Sequence, residues 1–590
     1  MKRYVATAAL AGIMGVTSIA VAGGAGAQDD TVTMTIGLLQ DMSSPNVTVG
    51  YLVPEFEVWN LQYASLTDKA ADDFAPLPGL AESWEESDGG LTYTYTLREG
   101  LKWSDGEPLT ADDIAYTINR SRDEEWANHF STVENIEATV LDDRTVQLTS
   151  SEPDPKLPTM DVYIVPQHVY EGIDAEAIAD YDGMDGVASG QYSLVEWNSG
   201  QDWTLERNPN WFGRDNGIDR IVYRVFSNAD ALVAALQKGE IDAAHGFGAE
   251  GAQLLEQEDG IEVVVGLQGG FTELALNGME GGIGDGHPAL QDIDVRHAIY
   301  HAIDRQAIFD GVSLGYGSIG TTLSPSADTS WIPDLGDEGF EYDPAKATQL
   351  LDEAGYLDTD GDGVREMPDG GQPLRFRYVE RSESENADSI RAFVTEYLDA
   401  VGIATDVEVM DDTQLYEAQV AGEYDIFVWG WTPYVDPDPM LSYFTCGQVT
   451  TDVEAAGYND ANWCSEEYDA LYDQQKVELD PTARRAIVAD MLRLFNREST
   501  YLVLLQDADL QAYRTDRFEG WLRQPAETGP VIFSNSSPTY ANLTVIDGGG
   551  DDGGMSTGLL IALIAGGVVV VGAAGFVVMN RSKRTADERE

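Results

Sequence analysis

The side chains best placed to do chemistry lie in a few short stretches. Asp358, Asp360 and Asp362 stand at positions 1, 3 and 5 of a loop with Gly363 at 6, Val364 at 7, Glu366 at 9 and Asp369 at 12. That is the spacing of a calcium loop, in which carboxylates and the carbonyl at position 7 converge on one hard cation. Asp369 is shorter than the usual Glu and no clear helix pattern follows, so an Asx/Gly-rich turn is the competing reading; the spacing predicts a structural calcium of millimolar-range affinity. His297 and His301 lie four apart on one expected helix, the geometry of two metal ligands on a face. No Glu-x-x-His core or third imidazole accompanies them, so they read as helix-surface histidines and a direct nickel site is not expected. With six histidines, no Gly-x-Ser-x-Gly and no His-Glu-x-x-His, the chain lacks the nucleophile, base and metal constellations of a hydrolase. No catalytic residue and no required cofactor are expected.

Cys446 and Cys464 are the only two cysteines. In an oxidising compartment they are expected to form one disulfide, two free thiols being the alternative. An exported location follows from the N-terminus. Met1-Lys2-Arg3 is basic, an apolar and small-residue run follows, and Ala25-Gly26-Ala27 closes it, which reads as a signal peptide over 1–27. No Cys stands at the cleavage point to carry a lipid. At the other end Met555 to Met579 holds no charge over about 25 residues, long enough at roughly 1.5 Å each to cross a core of about 30 Å. Arg581-Ser582-Lys583-Arg584 follows, so the positive-inside bias places a short tail, 580–590, in the cytoplasm and the main body outside. The expectation is a cell-membrane protein with a single C-terminal transmembrane helix, joined through an acidic Gly/Asp linker, 547–554.

The net charge of −69, from 34 basic and 103 acidic residues, argues against nucleic acid or anionic lipid as a partner. More than 500 residues lie between the two apolar ends, too many for one core, so two or more lobes are expected. Leu91 to Leu97 alternates strictly and predicts a half-buried antiparallel strand. Further on, strand Ile221 to Phe226 precedes a helix capped by Asn228 and ended by Gly239. Then come helix Asp294 to Phe309, strand Leu374 to Val379, helix Ser389 to Val401, strand Thr405 to Met410 and strand Asp425 to Trp431. Alternating βα units predict an α/β fold with mostly parallel sheets.

Leu80-Ala81-Glu82-Ser83-Trp84, then the alternating strand, then Leu97-Arg98-Glu99-Gly100-Leu101-Lys102-Trp103-Ser104-Asp105-Gly106-Glu107-Pro108 and Thr110-Ala111-Asp112-Asp113 resemble the signature of the extracellular solute-binding proteins of family 5, the oligopeptide-, dipeptide- and nickel-binding subunits of ABC importers. Locally, Asp105-Gly106 is turn chemistry, and Thr110 with Asp113 is a capping-box variant. Val295 to Ile299 with Ala302-Ile303-Asp304-Arg305, Tyr342-Asp343-Pro344 with Ala354-Gly355-Tyr356, and Asp425 to Pro439 resemble the same family.

The resemblance implies a bilobed periplasmic-binding-protein fold with an extra inserted subdomain. Lobe 1 would comprise 28–63, 185–275 and 505–546, the insertion 64–184, and lobe 2 276–504. Hinge closure would enclose a peptide-like solute, with an oligosaccharide or metal chelate as the alternative, and a monomer would present it to ABC permease subunits. It further implies that Arg381 pairs with a ligand carboxylate, and that Tyr434 stands where dipeptide-binding relatives place an Asp for the ligand amine. Asp436 is the nearest substitute acid. Trp429 and Trp431 are expected to alternate in depth along one strand, one of them near the cleft, where aromatic surface suits a side chain or a sugar ring.

Overall fold

The computed structural model describes residues 31–546 except 51, 127–128, 279–281, 369, 383–385 and 535. The expected signal peptide, linker, apolar segment and tail lie outside the described residues, as does Asp369. Among the described residues no helix is long and apolar enough to cross a membrane. The expected single-pass location is corrected accordingly: no helix among the described residues is able to span a membrane.

One large sheet runs through the molecule. Its main strands are β1 (Thr33–Leu38), β2 (Tyr192–Asn198), β3 (Asp202–Arg207), β4 (Arg220–Val225), β5 (Ala243–His245), β6 (Ile261–Leu276), β7 (Arg375–Arg381), β8 (Ala404–Met410), β9 (Ile426–Trp431) and β10 (Tyr501–Arg514). In space they follow the order β8-β7-β9-β6-β10-β5-β1-β4-β3-β2. Only β1 with β4, β1 with β5, β7 with β8 and β7 with β9 are parallel. The expectation of mostly parallel sheets is corrected here. β6 and β10 cross between the lobes in opposite directions, so they pair antiparallel with each other and with β9 and β5.

These two strands, 16 and 14 residues long, are the only ones that serve both halves of the sheet among the described residues. Their pairing slips midway: Leu267 faces Ala508, then Phe271 faces Gln506. Such an irregularity locally releases the ladder and bends it.

Each half is layered in the manner of α/β folds, with helices on both faces. In lobe 2, Ile299, Leu351, Tyr378 and Leu398 pack on one face, and Phe427, Met491, Phe495 and Tyr501 on the other. In lobe 1, Leu232, Leu236, Leu255 and Leu510 fill one side. The other side is continuous with a separate four-stranded antiparallel sheet, Ala81–Ser87, Thr92–Leu97, Thr145–Ser150 and Ile136–Asp142 in spatial order. In that sheet Tyr93, Tyr95 and Leu97 point to the core, as alternation requires.

Local signals take physical form. The Thr110 N–H donates to Asp113 Oδ2 at 2.9 Å while the Thr110 side chain accepts from Asp112, which starts helix Ala111–Asp123. Asn228 Oδ1 accepts from the Ala231 N–H and starts helix Ala229–Gln237. Gly106 adopts φ +97°, open to glycine, in the turn that brings Lys102 opposite Pro108. The expected helix from Asp294 to Phe309 is broken: Ile293–Ala302 ends, and Asp304 caps a new turn, Arg305–Ile308, by accepting from the Ala307 N–H. An Asp side chain at that point competes for backbone donors and restarts the helix.

Candidate functional site: a cavity beside the crossing strands

β7 and β9 lie side by side and parallel, with Val379 opposite Phe427 and Glu380 opposite Val428. Their carboxyl ends therefore open at one place, the usual position for ligands in α/β sheets. A cavity of about 280 Å³ sits there, lined among others by Arg381, Trp429, Trp431, Phe271, Asp507 and Asp509. Arg381 terminates β7. Its guanidinium carbon lies 4.5 Å from the centre of the Trp429 ring, a stacking that uses the flat face of the group and orients it. The first turn of helix Ala387–Ala400, through Ala387 and Ile390, also lines the cavity. A helix N-terminus adds positive potential beside Arg381.

Trp431 is held by a relay. Its Nε1–H donates to the Tyr501 hydroxyl at 2.7 Å, and that hydroxyl donates to Asp460 Oδ2 at 3.2 Å. Burial raises the Asp460 carboxyl well above the usual range. Trp429 and Trp431 sit 6.5 Å apart with rings inclined at 63°, and both reach the cavity rather than one of them being lost to the core.

β6 and β10 supply the acidic side of the cavity. Asp507 Oδ2 accepts from Thr272 Oγ1 at 3.0 Å, and Asp509 Oδ2 accepts from Gln511 Nε2 at 2.7 Å. Desolvation lifts Asp507 to about 6 and Asp509 to about 7. Sequence reading missed this pair. The available signal was an Asp-Ala-Asp shortly after the apolar run Tyr501 to Leu505 of the same strand, where acids are costly unless used. Glu380 is also at the wall, but Arg391 neutralises it.

The other expected ligand residues are placed elsewhere. Tyr434 faces lobe 1, with its ring 6.4 Å from that of Phe56 in helix Val53–Gln62. Asp436 is held by Arg484 in a two-pronged ion pair of 2.7 and 2.8 Å. Arg484 is 5 % exposed, so this carboxylate serves a buried cation rather than the cavity.

Away from the cavity, Cys446 and Cys464 form a disulfide. Asp358, Asp360, Asp362 and Glu366 bring carboxylate oxygens within 4.8 Å of one another. The same oxygens brace the turn: Asp358 accepts from Gly361 and Gly363, Asp360 from Asp362, and Asp362 from Val364. His297 Nε2 bonds the Arg497 carbonyl and His301 Nδ1 the Glu341 carbonyl, with both rings against Phe340.

Comparison with known proteins agrees with this architecture. The oligopeptide-binding protein AppA of Bacillus subtilis is 26% identical over 449 residues, covering 72% of this chain and 80% of the relative. The nickel-binding periplasmic protein of Escherichia coli is 25% identical over 490 residues, covering 77% of this chain and 87% of the relative. The crystal structure of a periplasmic oligopeptide-binding protein of Thermotoga maritima superposes with a TM-score of 0.75 at 21% identity, covering 88% of this chain and 100% of that one. Residues 75–452 match the model of the bacterial extracellular solute-binding proteins, family 5, and with two lobes joined by crossing strands around a cavity, the chain belongs to that family.

Proposed function

We propose that this protein captures a peptide-like solute between its lobes and presents it to the permease of an ABC importer. The substrate-binding role is that of its family, whose members are solute-binding proteins, and we read the chain as non-catalytic. The observation that carries the peptide reading is Arg381, stacked on Trp429 at the cavity wall beside a helix N-terminus. A guanidinium held by its face still offers a planar fork of N–H donors, which matches a carboxylate. Trp429 and Trp431 supply apolar surface for a neighbouring side chain. The oligopeptide-binding relative supports the same reading. The nickel-binding relative supports a metal chelate only weakly, because the imidazoles of His297 and His301 serve backbone carbonyls.

Titration calorimetry with a free short peptide and its C-terminal amide tests this reading. The free acid is expected to bind at least about tenfold more tightly, the worth of a charged hydrogen bond; equal binding contradicts it. The acidic loop Asp358 to Glu366 is read, separately, as a peripheral calcium loop, supported by the convergence of its carboxylates. Its test is the melting temperature in calcium against chelator, and an unchanged value rejects it.

A further inference from the structure

The cavity is electrically unlike on its two sides. Arg381 and the first turn of helix Ala387–Ala400 stand on the β7 side, and Asp507 and Asp509 stand on β10. The two acids are two residues apart and so share one face of the strand. Both are half-buried and reach the cavity. Among the described residues neither makes an ion pair with Arg381 or any other cation, and neither Oδ1 accepts a hydrogen bond. Tyr434, at the position where the family resemblance places an amine-binding acid, carries no charge.

We propose that Asp507 and Asp509 bind the free ammonium of the solute, whose carboxylate is held by Arg381, so that the ligand is a short peptide with both termini free. This rests on the peptide reading above and adds the amine end to it.

The surroundings favour a cation here. Glu273, fully buried, lies opposite Trp429 on β6, and neither of its oxygens meets a hydrogen-bond donor in bonding geometry. Its field acts together with that of Asp507. On the lobe 1 side, Glu57 of helix Val53–Gln62 is buried, and its field reaches Asp509. Its Oε2 has no hydrogen-bond partner among the described residues, and its Oε1 is 3.6 Å from His245 Nε2. Thr272, Gln511, Arg381, Glu273, Glu57 and His245 surround the pair, and Glu380 at the cavity wall is paired with Arg391; Arg381 is the permanent cation lining the cavity, and its field reaches Asp507 and Glu273. Four desolvated acids, Asp507, Asp509, Glu273 and Glu57, against the single cation Arg381 leave the site short of positive charge, and an ammonium in the cavity would compensate them. Binding at neutral pH would then draw protons off the two acids.

The test offers the intact protein a casein hydrolysate of short peptides, untreated and N-acetylated, and reads the retained species by native mass spectrometry. Retention of untreated peptides with about tenfold or greater loss on acetylation is expected. The Asp507→Asn/Asp509→Asn variant, checked for an intact melting transition, should retain both pools alike. Equal retention of both pools by the unmodified protein overturns the amine site and leaves the peptide reading intact. Retention of neither overturns both. Calorimetry of a retained peptide in two buffers of different ionisation enthalpy should show proton release; none with the unmodified protein also overturns the proposal.

Discussion

Arg381 and Trp429 stand on neighbouring parallel strands, β7 and β9, and the guanidinium of the first lies 4.5 Å from the ring centre of the second. The contact ties the cavity's cation to its aromatic wall. It also fixes the plane of the guanidinium before any ligand arrives, which reduces the ordering cost of binding.

Replacing Arg381 should therefore act on affinity more than on folding. Arg381→Ala is expected to weaken peptide binding by about 1.5–3 kcal/mol, the range for hydrogen bonds to charged groups. Arg381→Lys should fall between, because an ammonium keeps the charge and loses the fork. Titration calorimetry measures both, and unchanged affinity in Arg381→Ala would remove this residue from the site.

Asp436 should behave in the opposite way. Its carboxylate neutralises Arg484, which is 5 % exposed, and removing one partner of a buried pair costs about 3–5 kcal/mol. Asp436→Ala is expected to lower the melting temperature clearly while weakening peptide binding less than Arg381→Ala does. A variant that melts normally but fails to bind would return Asp436 to the ligand site.

The acids of β10 predict a pH signature in the ligand-free protein. Burial raises Asp507 from 3.8 to about 6 and Asp509 from 3.8 to about 7. Each therefore contributes stability that is fully present below pH about 4, the unfolded value, and lost as pH rises through 6 to 7. His129 and His245, lowered by burial to about 3 and about 4, act in the other direction and are common to wild type and variant. The difference in melting temperature between Asp507→Asn/Asp509→Asn and wild type should thus grow in the variant's favour from pH 4 to pH 7, then level off. A pH-independent difference would show that the two acids do not change their ionisation on folding.

Cys446 and Cys464 close a loop with a sequence separation of 18, and the chain-entropy model assigns such a loop about 3 kcal/mol. Cys446→Ser/Cys464→Ser is expected to unfold at correspondingly lower urea concentration. Coincident unfolding curves for variant and wild type would show that the bridge adds no net stability.

What the sequence made legible was local or repeated. Thr110 and Asp113 are three residues apart, so their mutual capping is visible in the chain itself. The alternation of Tyr93, Tyr95 and Leu97 likewise displays its buried face. What escaped depends on distant partners. Asp436 looked free because Arg484, the residue that claims it, comes from helix Pro481–Glu498. Asp507 and Asp509 gain their setting only from the pairing of β10 with β6, which in turn lies beside β9. The antiparallel share of the sheet was hidden for the same reason: βα spacing reports neighbours in sequence, and β6 and β10 pair across the whole chain.

The role of Arg381 requires that the protein carry a peptide with a free carboxylate. Mass spectrometry of the small molecule released when the purified protein is denatured tests it most directly. The released species should be one or more short peptides ending in a free carboxyl group. A released ligand without a carboxylate, such as a neutral oligosaccharide, would contradict it.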